Sequence, residues 1–228
     1  MSININLKIF LFAIIFYFTK QIEIYALLMI FAILHEMGHL ICGLILGLKP
    51  KALKIMPLGI SIEFSVIYND YNKKVKNANI LSLKKMIIAL AGPITNFLIV
   101  GICLILRKYI NSFYCNEIIY ANILIAIFNL LPIYPLDGGR CIKSLIHIFR
   151  GNKSAIEYTN HISNICVILI TMLSSIGIYY YKNIAILLIL IYLWTLVIIE
   201  NKKYNTKKRI YKIIENSWNK IKIIVLYT

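Results

Sequence analysis

The chain alternates between long apolar runs and short connections that are rich in lysine. A helix of roughly 20 apolar residues crosses the hydrocarbon core of a bilayer, so runs of this kind predict membrane-spanning helices. The first run resembles the core of a signal peptide, but no small-residue cleavage site follows it, and we expect a retained span. The pattern predicts an all-α polytopic membrane protein with about six transmembrane helices. The predicted spans are 7–19, 22–48, 86–106, 118–136, 162–181 and 184–199.

The connection between the second and third predicted spans has a pattern of its own. Residues 56–66 mix Pro and Gly with β-branched and aromatic residues in partial alternation. Turn formers beside short β-prone runs are typical of a hairpin. The segment therefore predicts a small β-hairpin or a re-entrant segment that dips into the membrane.

The chain divides into two parts after the last apolar run. Residues 1–200 are predicted to form one six-span membrane domain, and residues 201–228 a basic cytoplasmic tail. The tail mixes lysines with isoleucines and carries Trp218. It is either an amphipathic helix on an anionic membrane surface or a solvated tail that only sets the topology.

Composition excludes most classes of soluble protein. Of the 228 residues, 60% are hydrophobic and 15% are charged, and the mean hydropathy is +0.78. A soluble domain is nearer half apolar and a quarter charged. Such a composition excludes a disordered protein, a secreted disulfide scaffold and an ordinary cytosolic enzyme.

The positive charge predicts the orientation of the chain in the membrane. There are 25 Lys and Arg against nine Asp and Glu, which gives a net charge of +16. In a soluble protein this would suggest nucleic acid, but basic residues of membrane proteins collect in cytoplasmic loops. With a cytoplasmic N-terminus, the six spans place 21 basic residues on the cytoplasmic side and four on the other. We therefore expect both termini in the cytoplasm, the lipid bilayer as partner and no nucleic acid.

The second predicted span contains the sequence His35-Glu36-Met37-Gly38-His39, an H-E-x-x-H motif. Histidines four residues apart lie on one face of a helix, so both imidazoles can reach one Zn²⁺ ion. Glu36 can then act as general base on a water molecule held by the metal. Ionisable residues inside a membrane are costly, which makes a functional site the favoured interpretation over three side chains that only hydrogen-bond between helices.

Asp137 is the candidate for the third protein ligand that a tetrahedral catalytic zinc site needs. It follows residues 131–136, in which Pro132 and Pro135 break the helix, and it opens an Asp-Gly-Gly turn. Irregular backbone at membrane depth is tolerated where it is buried in protein or lines a wet cavity. Asp137 can complete the zinc site there, or it can cap the helix that follows Gly138.

Three motifs together resemble those of site-2 proteases, the intramembrane zinc metalloproteases. They are residues 35–39, the Ala-Gly-Pro-Ile-Thr-Asn element at 91–96 and the Pro-Leu-Asp-Gly-Gly element at 135–139. They occur in the order found in that family, and the resemblance covers about residues 31–140. It implies one Zn²⁺ per chain on His35, His39 and Asp137, and Glu36 as the catalytic acid and base.

The resemblance also implies supporting roles for Asn96, Asn129 and Pro135. The amide of Asn129 can hydrogen-bond a substrate carbonyl or the oxyanion, or it can form a hydrogen bond between helices.

The sequence motif Asn-x-x-Pro-x-x-Pro-Leu-Asp-Gly-Gly resembles the corresponding motif in the sporulation branch of that family. Proteins of this branch cleave the membrane-associated pro-sequence of the sigma factor sigma-K in the mother cell of endospore formers, and partner membrane proteins hold them inactive. The resemblance therefore implies a membrane-tethered protein substrate cut near the cytoplasmic side, inhibitory membrane partners and a location in the membrane around the forespore. Another substrate of the family, such as an anti-sigma factor, is the alternative.

Two other functions remain open from the residues alone. The first is a membrane-anchored peptidase with its motif outside the bilayer, a class that usually carries a sizeable soluble domain, which this sequence lacks. The second is a proteolytically inactive scaffold or a metal-handling membrane protein, and the intact Glu36 and Asp137 argue against it.

Overall fold

The computed structural model of the chain describes most of the sequence in seven segments. They are residues 2–5, 17–18, 22–56, 59–65, 75–109, 112–181 and 184–227. The first predicted span lies outside the described residues except for residues 17–18.

Five long helices dominate the described residues, and a short 3₁₀ turn, Leu106–Lys108, follows the second. The helices are α1 (Ile22–Ile45), α2 (Val75–Ile105), α3 (Ser112–Leu130), α4 (Asp137–Tyr181) and α5 (Ile184–Tyr227).

Three of the described helical segments are long and apolar enough to cross a membrane: Ile22–Ile45, Asn79–Lys108 and Asp137–Gly177. A shorter apolar helix covers Tyr114–Leu130. These segments confirm a mostly helical fold with membrane helices, whereas the six-span count stays a prediction.

A small sheet lies beside the helices. Its strands are β1 (Ser2–Ile5), β2 (Lys49–Met56) and β3 (Gly59–Ser65), in the order β1-β2-β3. β2 pairs antiparallel with β3, and β1 pairs parallel with β2. No strand is predicted before the first span, because the four residues of β1 are too few to show the alternation of apolar and polar residues that is typical of a strand.

Several helices do not keep the bounds of the predicted spans. α2 begins at Val75, before the predicted 86–106, and α5 continues to Tyr227, beyond the predicted 184–199. α3 ends at Leu130 and not at residue 136, since the two prolines that follow cannot continue it. α4 begins at Asp137, before the predicted span 162–181. It is interrupted at Gly151, where φ is 79° and ψ is 174°, a conformation that is essentially restricted to glycine.

The segment between α3 and α4 is anchored by a hydrophobic core. Ile133 and Leu136 pack with Val167 of α4 and with Leu193 and Val197 of α5. This packing fixes the position from which α4 begins, and therefore the position of Asp137.

Helices α1 and α2 approach each other closely. A Cβ atom added at Gly38 would contact Thr95 Oγ1 and would lie 3.0 Å from the carbonyl oxygen of Ala91. Small residues at such crossings let two helix backbones meet inside a membrane. This crossing brings α2 against the H-E-x-x-H face of α1.

Candidate metal centre

Three buried side chains from two helices meet at one point. His35 and His39 lie on one face of α1, as their spacing predicts, and Asp137 is the first residue of α4. Asp137 Oδ2 lies 3.0 Å from His35 Nε2 and 3.0 Å from His39 Nε2, and the two Nε2 atoms are 3.1 Å apart. The three residues are between 2% and 4% exposed.

This triangle of atoms fits a zinc ion. Ligand atoms about 2.0–2.1 Å from a tetrahedral zinc lie about 3.3 Å from one another, so a small expansion of the triangle accommodates the ion. Two imidazole nitrogens and a carboxylate are also the donor types that catalytic zinc sites use. Within the described residues, these three are the one group of His, Cys, Asp and Glu side chains placed to hold a metal ion.

Hydrogen bonds and charge orient two of the three candidate ligands. His39 Nδ1 donates to the carbonyl oxygen of Ile88 at 2.6 Å, which leaves the lone pair of Nε2 directed at the metal position. Arg140 Nη1 lies 3.6 Å from Asp137 Oδ1, the carboxylate oxygen that does not face the histidines. One turn of α4 thus supplies both a candidate ligand and a cation beside its second carboxylate oxygen.

The close approach of α2 depends on Gly92. A Cβ atom at this position would lie 2.5 Å from His35 Nε2 and 2.5 Å from His39 Nε2. Real Cβ atoms do not approach other atoms so closely, so a larger residue would displace the imidazoles. Gly92 belongs to the Ala-Gly-Pro-Ile-Thr-Asn element at 91–96, from which this steric role is not predicted.

The Asp-Gly-Gly turn is equally tight. A Cβ atom at Gly138 would clash with the carbonyl oxygen of Leu130, and one at Gly139 would clash with the backbone of Ile133 and Tyr134. Only residues without a side chain let α4 start against the end of α3. Asp137 is the first residue of the helix, and its side chain lies within 3.0 Å of both histidines.

A cavity of about 330 Å³ opens beside the three ligands. Its lining includes Glu36 and His39 from α1 and Phe64 from β3. Glu36 is half-buried, whereas its neighbours His35 and His39 are buried. The carboxylate that follows the first histidine in the motif therefore borders a space next to the metal position.

The same cavity carries a cluster of positive charge that the sequence analysis does not single out. Lys85 of α2 and both Arg140 and Lys143 of α4 line it. Lys143 Nζ lies 4.1 Å from the centroid of the Tyr134 ring, in cation–π geometry. Arg140 and Lys143 could have been predicted from their spacing, three and six residues after Asp137 on one helix.

His147 also lines the cavity, where its Nδ1 lies 2.9 Å from Ser82 Oγ. His161 is exposed on α4. Neither belongs to the metal-binding group.

The three predicted supporting residues do not join the ligands. Asn129 donates from Nδ2 to Ile125 O of its own helix at 3.1 Å. Asn96 is fully buried and donates to the carbonyl oxygen of Asn122 at 3.3 Å, which ties α2 to α3. Pro135 is half-buried in the segment before the Asp-Gly-Gly turn.

Comparison with known families and proteins gives three findings. The model of a family described as Peptidase family M50 matches residues 23–117 and 107–173, which include His35, His39 and Asp137. A curated zinc metalloprotease of Methanocaldococcus jannaschii is 27% identical over 131 residues. That match covers 54% of this chain and 34% of the relative, so the chain spans about a third of the length of that protein.

The third finding is a solved structure of similar fold. A site-2 protease from Methanocaldococcus jannaschii superposes with a TM-score of 0.65 at 20% sequence identity. The superposition covers 87% of this chain and 89% of that one. The family match confirms the predicted metalloprotease family, and the solved structure shows a shared fold. The group of His35, His39 and Asp137 fits the zinc predicted for this family.

Proposed function

Because the chain belongs to peptidase family M50, we propose that it is an intramembrane zinc endopeptidase that cleaves a membrane-associated protein. The observation that carries the proposal is the convergence of His35 Nε2, His39 Nε2 and Asp137 Oδ2, with Glu36 on the adjoining cavity. In this proposal the first three residues are the zinc ligands and Glu36 is the catalytic acid and base.

In the proposed hydrolysis, the zinc ion and the side chains of the protein have different roles. Zinc bound at this site polarises a peptide carbonyl and makes a water molecule more acidic. The Glu36 carboxylate accepts the proton of the attacking water and returns it to the nitrogen of the leaving amine. Arg140 pairs with the second carboxylate oxygen of Asp137, and the hydrogen bond from His39 Nδ1 to the Ile88 carbonyl keeps His39 in the tautomer that can bind metal.

The surroundings of the cavity indicate how a substrate is held. β3 is an edge of the sheet among the described strands, and its Phe64 lines the cavity. An extended substrate can add to such an edge as a further strand. Lys85, Arg140 and Lys143 favour a substrate segment that carries acidic residues near the scissile bond.

The finer assignment extends the resemblance noted in the sequence. We propose a sporulation substrate of the pro-sigma-K type, because the motif spelling of residues 129–139 is similar to that of stage IV sporulation protein FB. Inhibitory membrane partners and a mother-cell membrane location belong to the same proposal. An anti-sigma factor is the alternative substrate.

Topology follows from the charges. The proposal places both termini in the cytoplasm, counts six spans and treats residues 201–228 as a cytoplasmic tail, on the basis of the distribution of lysine and arginine. Reporter fusions at the termini and connections test it, and a reporter that is active outside the cytoplasm at either terminus would contradict it.

The deciding experiment compares Glu36→Gln with Glu23→Gln, an exposed glutamate at the start of the same helix. Each purified full-length protein is assayed for bound zinc and for cleavage of a panel of membrane-tethered pro-proteins that includes pro-sigma-K. We expect Glu36→Gln to keep its zinc and to lose at least about 100-fold in cleavage rate, the usual contribution of a general acid and base. Glu23→Gln should match the wild type.

The other outcomes separate the alternatives. Cleavage by Glu36→Gln at the normal rate would exclude the proposed mechanism. Zinc bound by a wild-type protein that cuts none of the substrates would favour a non-catalytic, metal-holding scaffold. Cleavage of a soluble peptide in preference to every tethered one would favour a peptidase whose site faces water.

A further inference from the structure

A second cavity lies away from the metal centre, between α4 and the basic end of α5. Its volume is about 500 Å³, and none of its lining residues borders the cavity beside Glu36. We name it the basic groove and define it by the residues that line it. They are Lys153, Ile156, Glu157, Tyr204, Lys207, Lys208, Tyr211 and Lys212.

The contribution of α5 to the basic groove is a continuous stripe. Positions 204, 207, 208, 211 and 212 recur at intervals of three and four residues, the spacing that places side chains on one face of a helix. Every residue of this stripe is a lysine or a tyrosine. Lys208 Nζ lies 5.8 Å from the centroid of the Tyr204 ring.

Charge in the basic groove is unbalanced. Four lysines face one glutamate, Glu157. The nearby Glu200 is already paired with Lys203, at 2.5 Å. Lysines that converge on one groove repel one another, so an anion of matching size would stabilise the arrangement.

The side chains of α5 are not arranged as in an ordinary solvated helical tail. A water-exposed amphipathic helix turns its apolar side toward its neighbours and its lysines outward. Here the lysines are exposed but line the groove on the side toward α4, while Ile210 and Ile213 are 51% and 67% exposed. A helix segment that exposes apolar side chains as well as lysines fits a position at the level of lipid.

The position of the basic groove along both helices agrees with this interpretation. Residues 184–199 are apolar, and Lys207 and Lys208 follow about two turns later on the same helix. On α4, Lys153 and Glu157 come directly before the apolar run 162–181. On the proposed six-span topology, both walls leave the bilayer at the depth of the lipid headgroups, where basic pockets between helices bind phosphate.

We propose that the basic groove binds the phosphate headgroup of an anionic membrane lipid. The lysines pair with the phosphate oxygens, and the two tyrosines cover the apolar part of the headgroup and the start of its acyl chains. The basic groove and the cavity beside Glu36 share no lining residue, so the proposal does not use the zinc site.

The test uses the purified full-length protein in a neutral detergent. Three probes are titrated: dioctanoyl phosphatidylglycerol, dioctanoyl phosphatidylcholine and pyrophosphate, with bound species counted by native mass spectrometry. The groove variant is Lys207→Gln/Lys212→Gln. The matched control is Lys202→Gln/Arg209→Gln, which removes two charges from exposed positions of α5 outside the groove.

We expect one phosphatidylglycerol per wild-type chain, bound more tightly than phosphatidylcholine. The groove variant should bind it about 30-fold more weakly, from the contribution of two lysines near a lipid phosphate. The control should stay within about twofold of the wild type, because its residues do not reach the groove.

Several results would overturn the proposal. Equal losses in both variants would mean that only the net charge of the tail matters. Phosphatidylcholine bound as tightly as phosphatidylglycerol would remove the role of the headgroup charge. Pyrophosphate bound more tightly than either lipid would assign the groove to a soluble phosphate compound. A measurement of bound zinc on each variant checks that the chain is folded.

Discussion

Gly92 has no side chain, and this absence lets His35 and His39 keep their positions. We predict that Gly92→Ala loses most of its zinc, because the added methyl group would occupy the space 2.5 Å from both Nε2 atoms. Zinc content after dialysis against a metal buffer measures the effect. A drop in affinity of at least about tenfold is expected, as for other changes that displace a ligand.

Gly101, nine residues further along α2, provides the matched control for this substitution. A Cβ atom added there meets nothing within 4 Å, so Gly101→Ala should keep its zinc. Alanine in a helix interior is also more favourable than glycine, so this variant should be as stable as the wild type or slightly more so. Zinc retained by Gly92→Ala as well would contradict the steric argument.

The role of Asp137 could be identified only from the sequence and the structure together. Its position after two prolines and before two glycines makes it the acid to examine, and the sequence favours a zinc ligand, with a helix cap as the alternative. The structure shows that it serves as both the first residue of α4 and a partner of two histidines. Its ion pair with Arg140 follows from the spacing of the two residues, three apart on α4, once Asp137 is known to open a helix.

At the scale of elements, the apolar runs predict which segments are helices but not where the helices end. The helix α4 begins 25 residues before the predicted span, because the stretch after Asp137 is polar and looks like a connection. The β1 strand escapes prediction since its hydrogen bonds go to β2, more than 40 residues away in the sequence. The positions of the histidines follow from spacing within one helix, which is why they are predictable.

Gly151 lets α4 change direction between its polar first part and its apolar second part. With φ at 79° and ψ at 174°, any residue with a Cβ atom is strained there, although nothing fills the space around it. We predict that Gly151→Ala lowers the free energy of unfolding by about 1–3 kcal/mol. Thermal unfolding in detergent measures the change.

The comparison variant for this prediction is again Gly101→Ala, which places the same methyl group in regular helix. A melting temperature that falls for Gly151→Ala and not for Gly101→Ala assigns the loss to backbone conformation. An equal melting temperature for both variants would mean that the break in α4 is not required.

At the scale of the molecule, the metal centre joins the first and fourth described helices. Its ligands come from α1 and α4, which are far apart in the sequence. We predict that removal of zinc by a chelator lowers the melting temperature by several degrees, because zinc binds the folded chain in preference to the unfolded one. Re-addition of zinc should restore it.

Asp137→Asn separates zinc binding from other effects of the chelator. The amide is a weaker ligand than the carboxylate, so this variant should melt at the lower temperature with or without chelator. A chelator-induced shift of normal size in Asp137→Asn would show that the ion acts somewhere other than this site.

The positive charge in the cavity beside Glu36 predicts a preference among substrates, and this prediction rests on the proposed proteolysis. Lys85 and Lys143 face the space beside Glu36 from two different helices. A tethered substrate with Asp or Glu near its scissile bond should be cut with a kcat/KM about three- to tenfold above that of the matching Asn or Gln substrate. In Lys85→Gln/Lys143→Gln this preference should disappear, mostly through KM. Lys108→Gln, at an exposed position beyond α2, should keep the preference, and a preference that persists in the double variant would exclude the lysines as its source.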